Sequence, residues 1–259
     1  MSHIDLQQQA AAHSEYWQCP RTGIEMAPVP AGPFYAGHAA GKQLVTTAFS
    51  MARHPVTNAQ WHQFVLASGY VPHKQHPFAE LYLSHWNGAD QPPETLLDHP
   101  VTWISFIDAL HFVAWAELSI PSEWYWEKAA RGLDGRACPW GDEHGLAPKV
   151  AHVTKEQTAA VTAYSHVRSV FGCEQMIGNV SEFCLNCEGS SGDLLNAPAP
   201  EAVAYDDLIS VRGSCYLRKT TEYMICSHRR RLSASRRNSW TGLRVAFVAL
   251  PQELPSTIS

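Results

Sequence analysis

The sequence predicts an α+β domain: two or three helices around short antiparallel sheets, with much irregular backbone. Three observations predict it. Capping boxes at Thr57/Gln60 and Ser105/Asp108 each open a run of apolar residues on helical spacing. A third helix is bracketed by Ser122 and Gly132. The rest of the chain consists of short apolar runs broken by Pro, Gly and polar residues, the pattern of short strands.

In chain order, residues 1–25 are polar with little pattern and read as an N-terminal extension, a short helix or a loose tail. Met26–Gly37 (MAPVPAGPFYAG) alternates apolar residues with Pro and Gly, which suits an edge strand and turn. The first helix starts at Thr57 and turns Trp61, Phe64 and Val65 inward. Gly69–Pro100 is a long Pro/His-rich connector without a sustained period, and such loops are either functional or mobile. The second helix runs from Ser105 to about Leu118 with Phe106, Leu110, Val113 and Trp115 on its periodic positions. In the third, Pro121 and Ser122 mark the start, Glu123 faces the positive end of the helix dipole, and Glu127 pairs with Arg131 four residues on. Trp124, Tyr125 and Trp126 point in successive directions, so this helix is expected to be buried on most sides. Past Asp142 the chain is short strand material, ending in a tail over 251–259, so residues 26–250 are expected to form one domain.

The chain has 259 residues, 45% of them apolar and 17% charged, enough for a sizeable core. No apolar run approaches the ~20 residues of a membrane span, and the N-terminus lacks the basic start and apolar run of a signal peptide. A cytoplasmic location is the expectation. Seven cysteines, an odd number without regular spacing, fit poorly with a stapled extracellular scaffold and read as mostly small buried thiols. The net charge of −5 hides an asymmetry: Arg212–Arg244 holds nine Lys/Arg and one acid, and the remainder ten Lys/Arg and 23 acids. A basic segment on an acidic body favours an acidic partner or a nucleic-acid backbone. The favoured alternative is that several of these arginines are paired inside the fold, and nucleic acid is not the expected partner.

Several segments resemble one family. Pro121, Ser122 and Glu123, followed by W-E-K-A-A-R-G (Trp126–Gly132) and P-W-G-D (Pro139–Asp142), look like the formylglycine-generating enzyme, or sulfatase-modifying factor, family. Met51–Val65 and His99–Trp115 resemble its first two helix starts. Met26–Gly37 resembles its opening segment, Met176–Phe183 its G-N-V-W-E-W motif, Val211–Tyr216 its R-G-G-S segment and Thr241–Phe247 its terminal G-F-R-V. The resemblance implies a C-type-lectin-like fold.

The resemblance also implies sites. Enzymes of the family hold copper(I) between two cysteines placed shortly after R-G-G-S, and thiolates suit that soft ion. Here Cys215 and Cys226 stand eleven residues apart, outside the matching places, so they are only a fallback pair and copper is not expected. The G-N-V-S-E-F motif implies a structural calcium on Asn179, Glu182 and the Val180 carbonyl, all hard oxygens. The alternative is a turn in which Asn179 and Glu182 satisfy backbone groups. A second family calcium segment corresponds to Ala151-His152-Val153, where His152 is a poor ligand. Cys184-x-x-Cys187 lacks a second ligand pair for zinc, and the connector histidines His73, His76, His85 and His99 follow no ligand spacing.

The expected function is a non-catalytic ligand- or protein-binding or regulatory module. Family relatives of this character include the variable target-binding proteins, whose diversified surface corresponds to Ser214–Trp240. Here that segment offers Tyr216, Arg218, Tyr223, Arg229, Arg230, Arg236 and Trp240 as a recognition surface, since aromatics and Arg carry binding hot spots. The competing readings are a metal-dependent oxidase, with copper or non-haem iron, and an accessory subunit of a larger assembly.

Overall fold

The computed structural model describes residues 16–37, 41–88, 90–186 and 197–248. Three helices form where the capping residues place them. Helix α1 (Asn58–Ser68) starts at Thr57, whose hydroxyl accepts Gln60 N–H at 3.2 Å while the Gln60 side chain accepts Thr57 N–H at 3.0 Å, and it stops at Gly69. Helix α2 (Phe106–Ala116) repeats the arrangement with Ser105 and Asp108. Helix α3 (Glu123–Arg131) is capped by Ser122 and ends at Gly132, whose φ of 79° spares it the strain a side chain would bring. A short fourth helix, α4, spans Ala147–Val150.

Among the described residues ten strands make three small sheets. Strands β1 (Trp17–Gln18), β2 (Glu25–Val29), β5 (Phe49–Ala52) and β10 (Ala246–Phe247) form an antiparallel sheet in the order β1-β2-β5-β10. β3 (Gly32–Ala36) and β4 (Lys42–Thr46) form a separate hairpin. β6 (Ser181–Cys184), β7 (Leu208–Arg212), β8 (Arg229–Ser233) and β9 (Thr241–Gly242) follow the order β8-β7-β6-β9, in which β6 and β9 run parallel, the exception to the antiparallel expectation.

Two expectations change here. The segment before residue 26 is not all extension, since Trp17 and Gln18 pair with Met26 and Glu25. β2 is therefore flanked by β1 and β5 at Met26, whereas Ala27, Pro28 and Val29 pair with β5 alone, so Pro28, opposite Ser50, sits where the strand is an edge. The connector after α1 is built of single 3₁₀ turns at Ala79–Leu81, Ser84–Trp86 and Glu94–Leu96. The expected tail over 251–259 and Cys187 lie outside the described residues. No described helix is long and apolar enough to cross a membrane.

Apolar burial falls into two clusters. One gathers α1 and α2, with Trp61 stacked on Phe112 at 5.2 Å and Phe64 edge-on to both rings. The other packs Tyr125, Trp126, Ala129 and Ala130 of α3 against Ala27, Val29, Phe49 and Met51. As expected, α3 is buried on most sides, but its charged residues are buried too. Lys128 donates to the carbonyls of Pro30 and Gly32 and to Thr46 Oγ1 at 2.6–3.0 Å, so one ammonium secures the base of the β3–β4 hairpin. Burial lowers its pKa to about 8.

A fully buried polar contact joins α3, β6 and the segment before β10. Glu182 on β6 accepts Arg244 Nε and Nη2 at 2.9–3.1 Å and Trp126 Nε1 at 2.5 Å. The same guanidinium donates to the carbonyls of Ala52, Arg53 and Glu174, each at 2.7 Å. Arg244→Leu leaves the Glu182 carboxylate buried without its cation and is expected to cost roughly 3–5 kcal/mol. Urea denaturation against wild type measures it; a loss under about 1 kcal/mol would show that the pair is replaceable.

Candidate functional site: a basic pocket beside the β7 exit

The site is built where β7 leaves its sheet. Gly213 takes φ 94°, and a Cβ there would stand 2.8 Å from the Met176 carbonyl oxygen, so the chain passes this point only as glycine. Ser214 follows at φ 61°, turning the chain so that Cys215 and Tyr216 are buried and Leu217, Lys219 and Thr220 are exposed. β8 returns antiparallel and sets Arg230 opposite Val211. Trp240 arrives from the other side, just before β9.

These pieces enclose a cavity of about 350 Å³ lined by Cys215, Leu217, Arg218, Lys219, Thr220, Arg230 and Trp240. Its charge is of one sign: three cations and no carboxylate. The Arg230 guanidinium lies 4.7 Å over the Trp240 ring, and Arg218 lies 5.4 Å over Tyr223, so both heads are partly pre-oriented by cation–π contact. The local field is felt nearby. Burial, then Arg218, Arg230 and Arg212, push His228 down to about 4. Burial raises the Cys215 thiol, and the same two arginines oppose that shift only in part, so the thiol is protonated at neutral pH.

The end of β7, just before the turn, is held by buried ion pairs from α3. Arg212 meets Glu127 at 3.0 Å and Glu123 at 3.5 Å. Glu127 also takes Arg131 at 2.6 Å, as the i,i+4 spacing predicts. Further off, Arg237 pairs with Asp108, which also accepts Tyr70 Oη. Three of the nine cations of the basic segment, Arg212, Arg237 and Arg244, are thus spent inside the fold, as the favoured alternative expects.

Of the expected recognition residues, the structure brings Arg218, Arg230 and Trp240 to the pocket, with Tyr223 behind Arg218. Tyr216 is corrected: it is only 4% exposed, its N–H bound to the Asn179 carbonyl. Arg229 turns away to Glu123 at 3.4 Å, and Arg236 lies over Phe78. Sequence reasoning missed Leu217, Lys219, Thr220 and His228. The adjacent Arg218-Lys219 dipeptide after the turn was the available signal.

Cys215 and Cys226 have different surroundings. Cys215 borders the pocket, whereas Cys226 lies in the α3 cluster among Cys138, Arg131, Glu127 and Arg212. Asn179, at φ 58°, spends its amide on Ala159 N–H, the Ala159 carbonyl and Gln175 Oε1, at 2.7–3.0 Å. Val180 is buried, and both Glu182 oxygens are taken by Arg244 and Trp126. Arranged this way the three residues do not fit a calcium ion, because a cation already occupies the carboxylate. Among the described residues no group of three or more His, Cys, Asp and Glu side chains converges as a metal site. His152 instead bonds the Gln157 carbonyl at 2.9 Å, and His99 the Thr158 hydroxyl, also at 2.9 Å.

Residues 13–249 match the sulfatase-modifying factor enzyme 1-like domain, and the chain belongs to this formylglycine-generating enzyme family. The formylglycine-generating enzyme of Bos taurus is 27% identical over 175 residues, 51% of this chain and 46% of that protein. The hercynine oxygenase of Mycolicibacterium thermoresistibile is 33% identical over 162 residues, 52% of this chain and 35% of that protein. This chain therefore spans about half or less of these relatives. Among solved structures, PvdO from Pseudomonas aeruginosa superposes with a TM-score of 0.70 at 19% identity, covering 90% of this chain and 98% of that one. The Treponema denticola variable protein 1 does so at 0.66 and 16%, covering 91% and 99%. Both establish the C-type-lectin-like fold.

Two outcomes are expected. Adding a chelator to purified protein leaves the thermal midpoint unchanged; a fall restored by calcium would contradict the arrangement at Glu182. Stability should also decline in acid. Burial lowers His85 to about 4; its Nε2 bonds Asn58 Oδ1 at 2.6 Å, and its buried Nδ1 has no acceptor. The neutral ring is the folded form, so its contribution is complete above the unfolded value of about 6.5 and is lost as pH falls toward 4. His85→Gln should flatten that slope in denaturation measured across the window.

Proposed function

We propose that this chain is a non-catalytic, ligand-binding member of the family, and that its basic pocket takes a small carboxylate- or phosphate-bearing ligand or an acidic side chain of a partner. The pocket lined by Arg218, Lys219, Arg230 and Trp240, with no acid among its lining, supports this reading. An anion entering it gains charge-assisted hydrogen bonds from guanidinium forks already oriented on aromatic faces. The volume is at the small end of ligand cavities, which suits a compact group. Cys215, protonated and apart from Cys226, serves here as a wall. The likeness to a variable protein extends to fold alone, and on this reading the Ser214–Trp240 segment is the recognition surface.

The enzymes among the relatives favour a second reading, an oxidase of the same family, with Cys215 and Cys226 as the sulfurs to be tested.

Calorimetry with pyrophosphate and citrate at low salt tests the first. Binding should weaken steeply with added salt, and Arg218→Ala combined with Arg230→Ala, losing two charged hydrogen bonds at about 1.5–3 kcal/mol each, should weaken it by roughly 10²- to 10⁴-fold. Unchanged affinity in the double variant would refute the assignment. Oxygen consumption on a cysteine peptide with copper(I), lost in Cys215→Ser, would decide for the oxidase.

A further inference from the structure

Two thiols that the pocket does not use are brought near one another by contacts between residues 137–138 and 224–226. Cys138 and Cys226 are both fully buried. Cys226 N–H donates to the Ala137 carbonyl at 2.7 Å, and Cys138 Sγ donates to the Met224 carbonyl at 3.3 Å. These contacts lay the backbone at 137–138 along that at 224–226. The backbone hydrogen bond sets Cys226 against Ala137, the residue just before Cys138, and a disulfide needs the two Cα atoms roughly 4.4–6.8 Å apart. Cys138 also belongs to the electrostatic surroundings of Cys226: after burial, it is the next influence raising the Cys226 thiol. Eighty-eight residues of sequence separate them, so the pairing has no local signature.

We infer that Cys138 and Cys226 form a reversible disulfide under peroxide, a cross-link that pins the segment 217–228 to the Pro139-Trp140-Gly141 turn. That segment carries the lip of the basic pocket at Leu217–Thr220, and from Glu222 to Ser227 it borders a second cavity of about 740 Å³. The inference goes beyond ligand binding and does not depend on it.

The chemistry balances as follows. One thiolate attacks hydrogen peroxide; an S–O bond forms, the O–O bond breaks, and the leaving hydroxide takes up a proton as water. The second sulfur then displaces the sulfenic oxygen, which leaves as a second water. Two thiols are oxidised, one peroxide is reduced, and a reducing dithiol reverses the step. Burial pushes Cys138 up to about 12 and Cys226 well above its ordinary value, so few thiolates are present at neutral pH and the reaction should accelerate as pH rises.

The test treats the full chain with hydrogen peroxide at about pH 9, alkylates the remaining thiols and maps cross-links by mass spectrometry. The expected product is a peptide pair joining Cys138 to Cys226, with the thiol count after denaturation falling by two from seven and recovering with dithiothreitol. Cys138→Ser and Cys226→Ala should each abolish it. Absence of that pair, or its appearance only in equal yield with other cysteine pairs, overturns the assignment. Hydrogen exchange over 217–228 then reads the pinning without any ligand: it should slow by about threefold or more in the oxidised chain. Unchanged exchange overturns the coupling to the segment.

Discussion

Glu182 and Arg244 hold the molecule together at the point where nothing else could. A carboxylate and a guanidinium out of contact with water repay their desolvation only when every lone pair and N–H finds a partner. Here they do: the carboxylate takes the guanidinium and an indole N–H from α3, and the guanidinium spends its remaining donors on three carbonyls from β5 and the Glu174 turn. One ion pair thereby fixes α3, β5, β6 and the approach to β10. The strands it joins are two to five residues long, too short to locate one another by backbone pairing alone.

The pocket inherits its precision from this frame. β7 pairs with β6 through Glu182 and Arg212, so the carboxylate that grips Arg244 also sets the height at which the chain leaves the sheet. From there Gly213 and Ser214 make the turn, and Arg212 is gripped by α3. What reaches solvent is the second set of arginines, those the core does not consume. A basic segment in the sequence thus divides in two: one part supplies cations to buried acids and the other gives the pocket its sign.

What could be read from the sequence was local. The caps at Thr57, Ser105 and Ser122, the stop at Gly132 and the Glu127–Arg131 pair all depend on residues within one or two turns, and the structure has them as expected. Family motifs carried the fold class. Partnerships between distant residues were not legible: Arg237 meets Asp108 across 129 residues, and Arg244 meets Glu182 across 62. The same limit explains the site. Asn179 and Glu182 have the right atoms for a hard cation, and only their distant partners show those atoms to be engaged. Tyr216 was counted as surface on residue type, whereas the turn at Ser214 carries it inward.

The parallel pairing of β6 with β9, and the antiparallel pairing of β5 with β10, have a bearing on how the protein is made. β5, early in the chain, and β6 receive neighbours, and Glu182 its cation, from residues 241–247, which are made after both. Until then a nascent chain carries unmatched strand edges and an unneutralised acid in what will be its interior, the kind of exposed intermediate that chaperones attend. On this topology neither four-stranded sheet is complete until residues 241–247 have been made, and a ribosome stalled a few codons short of Arg244 would release a chain without β10 and without the cation that Glu182 needs.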